Sequence, residues 1–244
     1  MRGFIDLHCH WIADIDDGVR SPEDGIALLR GLHQAGFSTV VATPHMRPGM
    51  FNNDRNALEK AFEAMTPVLA QARLLDAGRP LPEVHLSSEH FFDDVVFQRL
   101  THGQGLPYPG GKTVLIELPT TAFPAFLQAR LFDLRRAGLT PVIAHPERYQ
   151  PVWKDDSCLD PLFDAGALLL LDVCALVGKY GRASQKAAER LLEDDAYEAA
   201  CSDAHKPEDV AIVVKAIERL QSLAGKEETK RLLADGPRAI ISAN

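Results

Sequence analysis

The 244-residue sequence is poor in cysteine: Cys9, Cys158, Cys174 and Cys201 are the only four, with no CxxC spacing. A disulfide-stapled scaffold is excluded, and reduced thiols in a cytoplasmic protein are the expectation. No apolar run approaches the ~20 residues that span a bilayer. Asp6 also interrupts the first apolar run too early for a secretory segment, so no membrane insertion is expected. Basic residues are scarce relative to acidic ones, 26 Lys and Arg against 34 Asp and Glu, for a formal net charge of −8. That argues against a nucleic-acid-binding surface. There is no GxSxG elbow and no Walker loop; Gly103-Gln-Gly105 and Gly110-Gly-Lys112 are too short. A thiol-phosphatase loop needs an arginine at a fixed distance after its cysteine, and Ile15 and Pro207 stand at that distance from Cys9 and Cys201. No linker, charge block, low-complexity tract or repeat divides the chain, so one domain over residues 1–244 is expected. Oligomeric state is not legible.

What is present begins with residues 4–18. Phe4, Ile5 and Leu7 read as a short buried strand ending in His8-Cys9-His10. Alternate strand side chains share a face, so His8 and His10 can meet one object. Asp14, Asp16 and Asp17 follow, and Gly18 permits a turn. Two imidazoles beside carboxylates suit a borderline metal ion.

Further strands are predicted over 38–43, around 84–88, and over 113–118, 140–144, 167–173 and 199–202. Ser21-Pro22 and Gly36 mark the ends of the first helix. A second helix carries Leu58 to Ala72 and should kink or divide at Pro67. Others fall at about 124–137, after a Ser184 cap, and from Pro207 onward. Strands alternating with helices mean parallel βαβ units. Seven strands in this length suggest a closed barrel, with a doubly wound open sheet as the competing arrangement. The polar residues decide between them. His8 and His10, His45, Glu89, Glu117, His145, Asp203 and His205 all fall at or near strand C-termini, the active face of a TIM-type barrel.

So many histidines and carboxylates on one rim exceed a single four-ligand zinc and suit two or three ions, with Glu89 as the natural bridge. Clustered ions point to phosphate-ester hydrolysis, ahead of amide or amidine hydrolysis. Arg148, after His145, and Arg47, after His45, can offer paired donors to phosphate oxygens. The competing partner for Arg148 is Glu147 or another surface carboxylate. His33, His85 and His102 read as surface residues and His90 is left open. Phe91, Phe92 and Phe97 read as core, and Trp11 and Tyr149 as either packing or pocket.

These stretches resemble the polymerase-and-histidinol-phosphatase (PHP) superfamily, and within it the bacterial metal-dependent protein tyrosine phosphatases of capsule and exopolysaccharide synthesis. The resemblance lies in Ile5-Asp-Leu-His-Cys-His10, Asp16-Asp-Gly18, Ala42-Thr-Pro-His-Met-Arg-Pro-Gly-Met-Phe51, Ser88-Glu89, Leu115-Ile-Glu-Leu118, Pro141-Val-Ile-Ala-His-Pro-Glu-Arg-Tyr149 and Ser202-Asp-Ala-His205, with Gly236-Pro-Arg-Ala-Ile240 closing the series. It implies an α/β fold, a single-domain distorted TIM-like (β/α)7 barrel, holding two or three divalent ions, with manganese favoured over iron or zinc. It further implies one ion on His8, His10, Glu89 and Asp203, a second on Glu89, Glu117 and His145, and a third on Asp17, His45 and His205. Arg148 would contact phosphate and Arg47 matches a basic loop position. Asp203, His205 or solvent would assist proton transfer around attack by a bridging hydroxide. The implied substrate is phosphotyrosine in protein, typically the tail of a bacterial tyrosine kinase. A small-molecule phosphoesterase of the same superfamily, for histidinol phosphate or a nucleotide, is the alternative, and a silent binding scaffold a remote one. Two departures bear on substrate. Strand six ends in Leu170-Leu-Asp172 rather than a Gln-x-Asn pattern, and Lys206-Pro207 stands where some relatives carry a further arginine.

Overall fold

The computed structural model describes residues 2–75 and 78–243. Its first strand, β1 (Phe4–Cys9), is buried along its whole length, as expected of a strand covered on both faces in a parallel sheet. Beside it runs β2 (Phe37–Ala42), which resumes after Thr43-Pro44 as β3 (His45–Met46). The break falls at Pro44, which has no N–H to give to a ladder. The next strand is interrupted at the same level, β4 (Glu83–Leu86) giving way to β5 (Glu89–Phe91). Between them Ser87 N donates to Ala42 O at 2.8 Å and Ser88 Oγ to Pro44 O at 2.8 Å. Then come β6 (Thr113–Glu117), β7 (Thr140–Ala144), β8 (Leu168–Asp172) and β9 (Ala199–Cys201).

Every strand pairing is parallel and sequential, β1-β2-β4 in one segment and β3-β5-β6-β7-β8-β9 in the other. With the two broken strands each taken as one, the described residues give the expected seven. The ring closes where Cys9 bridges Ala204 in parallel, with Asp203 N donating to His8 O at 3.0 Å and His10 N to Ala204 O at 2.9 Å. An open doubly wound sheet is therefore excluded, and the distorted (β/α)7 barrel stands. Strand alternation sorts the core accordingly. Ile5, Leu7, Val41, Leu115, Val142, Leu170 and Ala199 form an inner cluster, while Val40, Val114, Ile116, Ile143 and Leu169 pack outward. Tyr108 and Ile240 join the inner cluster. Thr113, the first residue of β6, donates to Ile240 O, so the closing segment plugs the N-terminal end of the barrel and leaves the C-terminal end for the site.

The helices are α1 (Pro22–Ala35), α2 (Arg55–Leu75), α3 (Asp94–Thr101), α4 (Leu127–Arg136), α5 (Gln150–Lys154), α6 (Asp160–Asp164), α7 (Arg182–Glu193), α8 (Asp209–Lys230) and α9 (Gly236–Ile241). Ser21 Oγ accepts from Asp24 N and Gly36 ends α1 at φ 113°, as expected. Two expectations are corrected. Helix α2 runs through Pro67 undivided; Pro67 and Glu63, whose carbonyl the proline deprives, lie on the exposed face, open to solvent. Ser184 does not cap α7, which starts after Gly181 and buries Ser184 in its first turn. Among the described residues no helix is long and apolar enough to cross a membrane.

Candidate metal centre and active site

The strand ends deliver their side chains to one point. β1 brings His8 and His10, whose Nε2 atoms lie 3.1 Å apart. β3 and β5 bring His45 and Glu89, which are direct register partners. β6 ends on Glu117, and His145 and Asp203 follow β7 and β9. Those last two adopt left-handed backbone, φ 35° at His145 and φ 44° at Asp203. Such conformations cost about 1–3 kcal/mol in non-glycine residues and persist where surroundings over-determine them, commonly at functional sites. Here each turns a strand-ending side chain inward.

Glu89 is the hub. Its Oε2 lies 3.2 Å from His8 Nε2, 3.6 Å from His10 Nε2 and 3.0 Å from His45 Nδ1, and its Oε1 lies 3.0 Å from His145 Nε2. Asp203 Oδ1 sits 3.3 Å from His8 Nε2 and 3.5 Å from His10 Nε2. Asp17 Oδ1 lies 3.4 Å from His45 Nε2 and 3.6 Å from His205 Nε2. All nine expected ligand residues thus converge. Among the described residues, four groups have donor atoms close enough to share an ion: His8-His10-Glu89, His8-His145-Asp203, His10-Asp17-His45-His205 and His45-Glu89-Glu117. The grouping differs from the expected partition in three places: His10 also gathers with Asp17, His45 and His205, Asp203 gathers with His8 and His145, and Glu117 changes partner. Glu117 gathers with His45 and Glu89 rather than with His145, because β3 places His45 opposite Glu89 and its Nδ1 within 4.0 Å of Glu117 Oε2.

The donor set fits a divalent cation on structural grounds. Glu117 Oε2 and Asp203 Oδ1 are buried without a hydrogen-bond partner, which is costly unless something positive meets them. Burial opposes charge on His45 and His10, yet Glu89 and Asp17 hold His45 up to about 11, and Asp16 holds His10 up to about 9. Burial and the neighbouring Glu89 push Glu117 up to about 7. The carboxylates that raise these imidazoles would equally meet a cation. No thiolate competes: Cys9 Sγ turns away to donate to Ala204 O, and burial pushes its pKa well up. Imidazole with carboxylate suits manganese, iron or zinc.

A prediction follows from those protons. Ligation needs neutral imidazole, so loading metal at pH 7 must strip His10 and His45. Calorimetry in buffers of different ionisation heat is expected to show proton release. Apparent affinity should rise with pH, about tenfold per unit for each proton released. Affinity that is flat in pH would contradict the arrangement.

Asp16 is a functional residue that sequence reasoning left undistinguished within its aspartate run. Its Oδ2 lies 2.7 Å from His10 Nδ1 and accepts from His45 N at 3.1 Å, and its Oδ1 accepts from Gly18 N at 2.9 Å. It fixes the orientation of His10 from behind. Gly18 is required there by close approach, since a Cβ would meet His10 O at 2.2 Å. Replacing Asp16 with Asn should lower metal affinity about 10- to 100-fold, measured by competitive chelator titration, with Asp17→Asn as comparison. Asp6 does a similar service below, accepting from Ser202 N at 2.9 Å and Ser202 Oγ at 2.5 Å to tie β1 to the end of β9.

Two guanidiniums flank the cluster. Arg148 Nη1 lies 2.5 Å from Asp203 Oδ2 and 3.9 Å from Asp172 Oδ2, and Arg148 also stacks on Tyr180 at 4.4 Å. Glu147 is not its partner. That carboxyl is buried against Asp172 N and Tyr197 OH, and burial with Asp172 raises it to about 8. Asp172, the departure on strand six, thus belongs to the support of Arg148. Arg47 Nη1 lies 3.5 Å from Glu117 Oε2 and its guanidinium covers Phe91 at 3.9 Å. Phe91 therefore serves the site edge rather than the core, whereas Phe92 is core as expected and Phe97 packs against it.

The remaining aromatics and histidines resolve simply. Trp11 is fully buried against Phe62. Tyr149 is fully buried and its hydroxyl donates to Ala144 O and accepts from Leu118 N, pinning β7 to the end of β6. Both are packing residues. His90 is buried inside the barrel wall, between Leu115 O and Leu106 N, and burial lowers it to about 4. Of the three expected at the surface, His102 is exposed, whereas His33 and His85 are half-buried.

The family described as "Capsular polysaccharide synthesis, CpsB/CapC" matches residues 4–242. This chain belongs to that family. Tyrosine-protein phosphatase YwqE of Bacillus subtilis (strain 168) is 31% identical to it over 201 residues, 82% of this chain and 77% of that protein. Tyrosine-protein phosphatase CpsB of Streptococcus pneumoniae is 25% identical over 246 residues, 97% and 98% of the two chains. A crystal structure from work on YwqE of B. subtilis and CpsB of S. pneumoniae, described as unique metal-dependent tyrosine phosphatases, superposes with a TM-score of 0.84. The identity is 28%, over 98% of this chain and 95% of that one. The PHP-type resemblance of the motifs and the barrel of this CpsB/CapC chain thus agree.

Proposed function

We propose that this chain is a metal-dependent protein tyrosine phosphatase, a phosphomonoester hydrolase folded as one domain over residues 1–244. Its substrate is phosphotyrosine in protein, with a bacterial tyrosine kinase as the partner and the cytoplasm as the location. The observation that carries the reading is the placement of Arg47 and Arg148 in the same cavity of about 160 Å³ as the histidine–carboxylate cluster. Two or three divalent ions, manganese first, would be held by His8, His10, Asp17, His45, Glu89, Glu117, His145, Asp203 and His205. When bound, they supply Lewis acidity that polarises phosphoryl oxygens and makes water more acidic.

The chain's own residues account for the rest. Arg148, aimed by Asp203, Asp172 and Tyr180, presents its donor fork to non-bridging oxygens, and Arg47, beside Glu117, lines the same cavity. A water oxygen adds to phosphorus as the bond to the aryl oxygen breaks. The proton lost by that water is returned to the leaving oxygen through Asp203, His205 or solvent. A phenol leaves with a pKa of ~10, so little acid assistance is demanded of these two residues.

Turnover of a phosphotyrosine peptide against histidinol phosphate by the metal-loaded chain tests the reading. Strong preference for the peptide is expected. Preference for histidinol phosphate would move the assignment to a small-molecule phosphoesterase, and bound metal without any turnover would favour a binding scaffold.

A further inference from the structure

Nine of the eleven residues around the active cavity carry a carboxylate, imidazole or guanidinium; Met50 and Phe51 are the two apolar ones. They come from one turn. Arg47 N donates to Phe51 O at 3.2 Å and Phe51 N to Arg47 O at 2.8 Å, closing an antiparallel bridge. Gly49 takes φ 86° at its tip and donates to Asn52 Oδ1. The turn is anchored below. Asn53 Nδ2 donates to both Ile15 O and His45 O at 2.9 Å, and Arg99 Nη1 donates to Asn53 O at 2.9 Å. Phe51 lies flat on His45, centroids 5.1 Å apart and planes 9° off parallel. Met50 is 60% exposed, an apolar side chain at the edge of a charged cavity.

We propose that Met50 and Phe51 form an aryl-binding lip that selects phosphoesters whose leaving group is an aromatic ring. The inference rests on the phosphatase reading above and adds the residues that would recognise the phenyl ring. A phosphoryl group taken between Arg47 and Arg148 directs its ester oxygen toward the mouth, where this turn is the apolar surface available. A thioether is polarisable and unbranched, and sulfur–aromatic contact is favourable at ring edges. Phe51 stays rigid because His45 already holds its face. An alkyl phosphoester, such as phosphoserine, would leave the lip wet.

The test compares binding of phenylphosphonate and methylphosphonate to the metal-loaded chain, in wild type, Met50→Ala and Met50→Leu. Neither analogue is hydrolysed, so the ratio of the two affinities decides the lip whatever a peptide assay returns. Met50→Ala is expected to lower the preference for phenylphosphonate about two- to ten-fold, and Met50→Leu to recover most of it. Equal weakening of both analogues, or an unchanged ratio, would overturn the proposal. Because Met50 is exposed, loss of folding does not confound the result.

Discussion

Glu89→Gln is expected to empty the metal centre and abolish hydrolysis, with kcat/KM falling more than about 100-fold. That floor is the upper end of what loss of an outer partner costs a metal site, and Glu89 is at the centre. One carboxylate lies within 3.6 Å of His8, His10, His45 and His145. The amide is isosteric, so packing survives, but it brings no charge to meet a cation and offers an N–H where an acceptor is needed. In the metal-free chain the same change removes the main support for charge on His45, which should titrate well below about 11. Metal analysis by mass spectrometry and histidine titration by NMR check both halves. A variant that retained wild-type metal and activity would show that Glu89 is not the hub.

Arg148→Ala is the second large effect, with the opposite signature in metal content. The guanidinium is expected to contribute about 10²–10³-fold to kcat/KM, the range for removing one preorganised donor to a developing charge. Metal content should hold or rise, because Asp203 loses a competing partner 2.5 Å away. Arg148→Lys should recover little, since an ammonium lacks the planar fork and the stacking on Tyr180. Steady-state kinetics with metal analysis of the same preparations separates this from the Glu89 case. Loss of metal in Arg148→Ala would mean that the arginine holds the cluster together rather than the substrate.

The strand ends were legible because barrel strands that are buried on both faces read as apolar runs, and a polar residue stopping such a run stands out. His8, His10, His145 and Asp203 are of that kind. Glu89 was legible as a bridge only by chemistry; that it sits opposite His45 depends on strands of two and three residues, too short to carry any periodic signal. Asp17 was separated from Asp14 and Asp16 by family resemblance. The work of Asp16 behind His10 comes from a turn whose geometry rests on Gly18 meeting His10. Short helices such as α3 and α5 were missed for the same reason as β3. His90 and Tyr149 look like site residues in sequence, next to Glu89 and Arg148, yet strand alternation turns His90 into the wall, and Tyr149, after the turn 146–148, packs its hydroxyl between the ends of β6 and β7. Pro67 was misjudged because the harm a proline does depends on which face of the helix it occupies. Met50 falls within the family-like stretch 42–51, but nothing in the sequence assigned it a role until the turn placed it at the cavity mouth.

The most direct test of the account is metal content measured alongside hydrolysis of a phosphotyrosine peptide, in wild type and His145→Ala, with and without chelator. His145 is buried, and burial with the nearby Arg148 lowers it to about 4, so its ring is neutral and ready to ligate at pH 7. Bound metal in the wild type, activity that chelator removes and metal restores, and collapse of both in His145→Ala are the predicted result. No metal and no hydrolysis in the wild type, even after manganese is added, would contradict the reading of the barrel mouth as a reaction centre.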